Sequence, residues 1–202
     1  MRNCYENAIH FRYACKLFNP HRKIDREDLH FILESARMAP SSFGMEGWEF
    51  WVIQDGALKE KLQPLCWNQP QITTCSDLVV LLSMKNLRST NPYVQKQFEP
   101  RGDLYEKYLQ IYKDFIDPRS DEEINCWAGK QVYIASAFLM LAAASIEIDS
   151  CPIEGFEKEK VEALLNVDTT RLEIQYLIAL GYRAKEQQPR YRRPLDDVVK
   201  FI

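Results

Sequence analysis

The chain has 202 residues, of which 46% are hydrophobic and 27% charged, and 26 Lys and Arg against 29 Asp and Glu leave a net charge of −3. That excludes a disordered chain, a collagen-like repeat and a coiled coil, and argues against a surface that is basic throughout and meant for nucleic acid. The length suits one domain spanning residues 1–202.

The elements follow in chain order. Residues 2–11 read as a first helix and Arg12–Asn19 as a transition segment. Asp25–Met38 is a helix: Asp25 is placed to cap it, Ile24 and Leu29 to staple its entry, and Leu29, Ile32, Leu33 and Ala36 form an apolar stripe. Pro40 ends it, and Ser41–Gly47 is a loop. Glu49–Gln54 is a strand, Ala57–Leu65 a helix, and the apolar run Leu78–Leu82 a strand buried on both faces. Asn91–Phe115 gives one or two surface helices, broken by Asp117 and Pro118. Ser120–Ile148 is the longest helix, opened by a Ser120/Glu123 capping box, with Phe138–Ala144 apolar nearly all round and expected in the core. Cys151–Phe156 is a loop, Glu157–Leu165 a short helix and Leu172–Gly181 a strand. The tail from Tyr182 is polar and basic up to Pro194 and then amphipathic, as if anchored. The Ala135–Ile148 stretch is too short and polar to span a bilayer, and Met1–His10 has no apolar signal region, so the expectation is a soluble cytoplasmic protein with no membrane contact.

Several chemistries lack their motifs. No glycines are spaced for a dinucleotide or P-loop fingerprint, and neither H-E-x-x-H nor C-x-x-C occurs, which points away from a metal site. The six scattered cysteines fit free thiols in a reducing compartment.

Two basic segments stand out. If Arg12–Phe18 is extended, Arg12, Ala14 and Lys16 share a face, and Arg12 and Lys16 stand about 13 Å apart at about 3.3 Å per residue. Two such cations could hold the ends of an elongated anion, with arginine suited to a phosphate; a solvated basic strand end is the alternative. Arg190 and Arg192 likewise share a face if Arg190–Arg193 is extended. Pro40–Trp48 and Asp149–Phe156 read on their own as connections, although Gly155 would let a ligand approach the backbone closely.

The order of these segments carries more than any one of them. R-x-x-x-K-x-F, then A-x-x-A-P-S-S, a Trp-led strand, P-I-E-G-F after a long helix, and G-Y-R before an Arg-rich segment together resemble the FMN-dependent nitroreductase family, from Arg12 to Val199. The resemblance implies an α+β, three-layer fold: a central, mostly antiparallel sheet flanked by helices, in a domain-swapped style of homodimer with FMN at the interface. It implies that Arg12 grips the flavin phosphate, that Lys16 lies at the pyrimidine edge, and that Tyr13 and Ala14 line the same segment. Pro40, Ser41, Ser42 and Gly44 would reach the flavin from the partner subunit. Asn68 would hydrogen-bond the ring and Gln71 lie near it. Pro152, Ile153, Glu154 and Gly155 would lie along the ring, with Glu154 and Gly155 near N5, and Arg190 and Arg192 would close on the phosphate.

The implied chemistry belongs to FMN, with no catalytic side chain, Lys16 and Glu154 standing nearby, and no metal. Hydride would pass from NADH or NADPH to a small aromatic acceptor such as a nitroaromatic or quinone, by a ping-pong mechanism. The alternatives are an FMN-storage protein and a flavoenzyme of the same fold with another reaction, such as dehalogenation or flavin consumption. The chain departs from the family pattern at Ala14, where a Ser hydroxyl is frequent, at Glu46-Gly47 in place of Gln-Pro, and at Gln71 in place of a second Lys. Cys15 reads as a packed side chain rather than a redox thiol.

Overall fold

The continuous apolar run Leu78–Leu82 lies in one of the two inner strands of the sheet. In the computed structural model, which describes residues 2–202, the strands are β1 (Trp48–Ile53), β2 (Asp77–Met84), β3 (Asp149–Ile153) and β4 (Leu172–Gly181), in the order β1-β2-β4-β3. Every neighbouring pair is antiparallel. Helices α1 (Arg2–Phe11), α2 (Arg26–Arg37), α3 (Gly56–Leu65), α4 (Gln71–Thr74), α5 (Pro92–Phe98), α6 (Tyr105–Ile116), α7 (Asp121–Ser145) and α8 (Lys158–Leu164) complete the described residues, with three short 3-10 turns.

The sheet separates two cores by its period of two. Leu78, Val80 and Leu82 pack with Leu62 of α3, Ile72 of α4 and Val161 of α8, while Val79 and Leu81 pack with Ile32 and Ala36 of α2 and Val132, Ala135 and Leu139 of α7. This is the three-layer α+β arrangement that the resemblance implies. A register shift opposite Leu81 and Leu82 leaves Gln175 as an extra residue in β4, so Ile174 and Leu177 face the same core. The bulge fits because Gly129 of α7 lies under it: a Cβ there would sit 2.6 Å from Gln175 Oε1. A third core, around Phe98, Tyr112 and Ile116, closes the α5–α6 excursion.

Four expectations need correction. The Cys151–Phe156 loop is in its first half the edge strand β3; five residues containing a Pro carry little local strand signal, and an edge position tolerates the missing N–H. Asp25 sits at the N-cap of α2 without a side-chain cap bond, though Ile24 and Leu29 do pack in one core. The capping box on α7 is present, but the second half of that helix is not buried all round: Ala135, Leu139 and Ala143 pack with the sheet and α2, while Phe138 is 42% and Ile134 40% exposed. The tail beyond Arg190 makes no anchor on its own chain, and Leu195, Val198, Phe201 and Ile202 are exposed.

By length and composition α7 as a whole is long and apolar enough to cross a membrane, as core helices of folded domains can be, and half of the qualifying stretch is buried inside the fold.

The transition segment after α1 is tied to β3. Ala14 forms a parallel bridge with Ser150, the Cys15 N–H donates to the Ser150 carbonyl at 3.1 Å, and Phe18 bridges Arg183. Arg183 locks this arrangement. Its backbone N–H and Nε both donate to Asp149 Oδ2 at 2.9 Å, and its Nη2 lies 2.7 Å from Oδ1 as an ion pair that lacks hydrogen-bond alignment. The same guanidinium lies over the rings of Phe11 and Tyr13 at 4.2 and 4.8 Å. Asp149→Ala would remove two charge-assisted bonds worth about 1.5–3 kcal/mol each, so urea unfolding should give a loss of at least about 3 kcal/mol. An unchanged midpoint and slope would show that the pair does not hold the segment.

Candidate functional site

Because Ala14 is bridged to Ser150, the basic N-terminal segment runs beside the strand that leads into the 154–155 loop, bringing together residues more than 130 positions apart. Arg12, Arg190 and Arg192 line one cavity of about 470 Å³, backed by Met140 and Leu141 of α7. Burial, then the like charges of Arg190 and Arg192, pull the pKa of Arg12 below the ordinary arginine value. A half-buried guanidinium beside two others is a site short of negative charge.

The three arginines are not equivalent. Arg190 Nη1 donates to the carbonyls of Ile9 at 2.9 Å and Arg12 at 2.6 Å, and Nη2 donates to that of His10 at 3.4 Å. It therefore caps the carbonyl end of α1, where a cation also meets the negative end of the helix dipole. Among the described residues, Arg192 Nη1 donates to the carbonyl of Tyr191 alone.

The second half of the site lies at the end of β3. Lys16 Nζ donates to Cys151 Sγ at 3.5 Å, and Gln71 Nε2 to the same sulfur at 3.8 Å and to Gln69 Oε1 at 2.8 Å. Gln69 Nε2 donates to the Gly155 carbonyl at 2.8 Å. Gly155 is glycine for close approach: a Cβ there would stand 2.6 Å from the Trp67 ring. Trp67 and Asn68 both have φ of +54°, in the left-handed region, and both are exposed. Glu154 is exposed, and its Oε1 accepts from Tyr133 Oη of α7 at 2.7 Å; Tyr133 stacks on Tyr176 at 4.6 Å. Burial, then that bond to Glu154, raises the Tyr133 pKa, so its phenol is a donor at neutral pH. Cys15 is buried, donates to the Leu17 carbonyl, and burial raises its pKa, which agrees with a packing role.

So Arg12, Arg190 and Arg192 share one cavity, Lys16, Gln71 and Gly155 are linked through Cys151 and Gln69, Asn68, Pro152 and Glu154 adjoin these in sequence, and Tyr13, Ala14 and Ile153 pack with one core. Pro40, Ser41, Ser42 and Gly44 do not join them in this chain. The Ser42 N–H donates to Gln131 Oε1, nine residues before Met140 on α7, or about 14 Å along the axis at 1.5 Å per residue. Their loop is nevertheless well pinned. The Glu46 N–H donates to Ser41 Oγ, Arg101 to the Phe43 carbonyl, and Tyr93 Oη to the carbonyls of Met45 and Glu46. These contacts replace the rigidity that the usual proline would give.

Sequence reasoning did not single out Gln69, Tyr133 or Cys151 as site residues. The W-N-Q-P-Q run showed two amides beside the ring-contacting position, but nothing local to Tyr133 or Cys151 indicates that α7 and β3 meet there.

The nitroreductase family model matches residues 9–182. The chain belongs to the nitroreductase family. It is 38% identical to a candidate NAD(P)H nitroreductase of Staphylococcus haemolyticus, over 100% of this chain and 99% of the relative. A candidate NAD(P)H:FMN oxidoreductase of Staphylococcus epidermidis superposes with a TM-score of 0.80 at 27% identity, covering 98% of this chain and 95% of that one. A nitroreductase structure from Exiguobacterium sibiricum, solved in complex with FMN, has a TM-score of 0.86 at 22% identity, over 98% and 97% of the two chains. Family membership makes this protein an oxidoreductase enzyme.

Gly155→Ala should displace the Trp67 ring, because the new methyl would overlap it. Tryptophan emission should shift in the variant, and should not shift when Gly155→Ala is made in a Trp67→Leu background. A shift of equal size in both backgrounds would show that the two residues are not packed together.

Proposed function

We propose that the protein is an FMN-dependent NAD(P)H oxidoreductase, with residues 1–202 forming one FMN-binding domain and two chains forming a homodimer. The observation that carries this reading is the convergence of Arg12, Arg190 and Arg192 on one cavity, at one end of a segment whose other end presents Lys16 beside the Gly155 loop.

The residues fit FMN on chemical grounds. A depressed arginine among like charges calls for a dianion such as a phosphate. The Ser150 hydroxyl, on the strand bridged to Ala14, is buried without a hydrogen-bond partner and leaves polar capacity where the frequent Ser hydroxyl is missing. The exposed Trp67, packed against Gly155, offers a flat surface. When bound, FMN supplies the two-electron chemistry between a nicotinamide donor and a conjugated acceptor, such as a nitroaromatic or quinone.

The chain's own residues bind and position. Arg12 and Arg192 hold the phosphate, and Arg190 fixes the end of α1 from which Arg12 emerges. The Lys16 ammonium stabilises negative charge that develops at the pyrimidine edge, an effect that lowers a barrier because the charge is absent beforehand. Tyr133 holds Glu154 and with it the loop against the ring. Gln71, 1% exposed and in a hydrogen-bond network, is a neutral donor where relatives of this pattern place a lysine.

A second copy supplies the Pro40, Ser41, Ser42 and Gly44 loop. The dimer reading is supported by the uncovered apolar face that includes Tyr5, Phe31 and Phe138, and by the exposed Leu195, Val198 and Phe201 of the tail. Free cysteines, four of them buried, accord with a cytoplasmic setting.

The purified protein should be yellow, release FMN on acid precipitation and sediment as a dimer; colourless protein that cannot be reconstituted with FMN contradicts the reading. Arg12→Ala should weaken FMN binding about ten- to a hundredfold, the value of a charge-assisted contact, whereas Arg193→Ala, in the exposed tail and outside the cavity, should leave it near wild type. Equal losses in titrations followed by flavin fluorescence would contradict the assignment. Donor and acceptor use one open site in turn, so initial rates against both should give parallel double-reciprocal lines; intersecting lines would show that the two are bound together.

A further inference from the structure

Cys151 touches Gln71, a position where the chain departs from the family pattern, and its surroundings give it work. Its sulfur is fully buried at the end of β3, yet two side chains from distant segments converge on it: Lys16 Nζ at 3.5 Å and Gln71 Nε2 at 3.8 Å. Lys16 is otherwise an exposed side chain on an extended segment, and a flexible four-carbon stem does not hold an ammonium in place by itself. Gln71 is fixed from the far side by Gln69 Oε1, and Gln69 in turn bonds the Gly155 carbonyl. The thiol thus joins the basic segment to the loop network through one atom. Burial pushes the thiol pKa up despite the neighbouring Lys16, so at neutral pH the sulfur is a neutral acceptor and not the anion of an ion pair.

We infer that Cys151 is a positioning residue: its sulfur holds the Lys16 ammonium and the Gln71 amide at fixed places at the pyrimidine edge of the flavin, and thereby sets how strongly reduced FMN is favoured over oxidised FMN. The inference rests on the flavin reading above. Gln71 is neutral, so Lys16 is the cation whose placement matters there. Releasing it to solvent weakens its hold on charge that appears on reduction.

The test compares wild type, Cys151→Ala, Cys151→Val and Cys151→Ser, each loaded with FMN, by spectroelectrochemistry and by fluorescence titration of FMN affinity. Ala and Val remove the acceptor, Val filling the space with a slightly larger apolar group in case the alanine cavity unfolds the protein, while Ser keeps an acceptor. The preference for reduced over oxidised FMN should fall about three- to tenfold in Ala and Val, which is about 15–30 mV for a two-electron couple, and should be restored in Ser. In a Lys16→Met background the same Cys151 substitutions should leave the potential unchanged, which a merely structural role would not predict. Wild-type potentials in Ala and Val, or the same shift with Lys16 absent, overturn the inference while leaving the flavin reading intact. Failure of wild type itself to bind FMN overturns both.

Discussion

The site depends on a single backbone contact, the bridge between Ala14 and Ser150 with the Cys15 N–H on the Ser150 carbonyl. β3 is the edge of the sheet, and an edge strand leaves main-chain groups open to pairing. The segment after α1 takes them up. That one pairing fixes where Arg12 and Lys16 stand relative to Cys151 and Gly155, since side chains at 12, 14 and 16 alternate with those at 13 and 15. Tyr13 and Cys15 face inward, Tyr13 beneath the Arg183 guanidinium, and Arg12 and Lys16 face the site. The Arg183–Asp149 pair, the Phe18 bridge and the Arg190 cap on α1 all secure the same short stretch of chain.

Electrostatics then divides the site into two ends. At one, three guanidiniums stand close enough for Arg12 to feel the other two, an arrangement that costs free energy until an anion enters. At the other, a single ammonium rests on a neutral thiol among amides. The first end suits permanent charge, a phosphate, and the second suits charge that comes and goes.

Most of the fold was legible because its signals are local. The continuous apolar run of β2 and the Ser120/Glu123 box of α7 each lie within a few residues of what they specify. β3 was missed because Asp149, Ser150 and Pro152 carry weak strand preference and pair with β4, about thirty residues on, and at Ser150 with Ala14 near the other end of the chain. The exposed half of α7 and the apolar tail were misjudged for a related reason: a hydrophobic sequence reports that a surface will be covered, not which chain covers it. At the site, the basic pairs and the glycine could be read from residue type and spacing. Arg190's cap on α1, Tyr133's bond to Glu154 and the convergence on Cys151 could not, because each joins segments whose proximity only the folded sheet creates.

The central claim, that the arginine cluster exists to hold a phosphate at one end of a flavin, is tested most directly by calorimetric titration of the flavin-free protein with FMN and with riboflavin, which differ only in that phosphate. Two charge-assisted guanidinium contacts at about 1.5–3 kcal/mol each predict that FMN binds at least a hundredfold more tightly. Equal affinity for the two would contradict the account, because the arginines would then be serving something other than the phosphate.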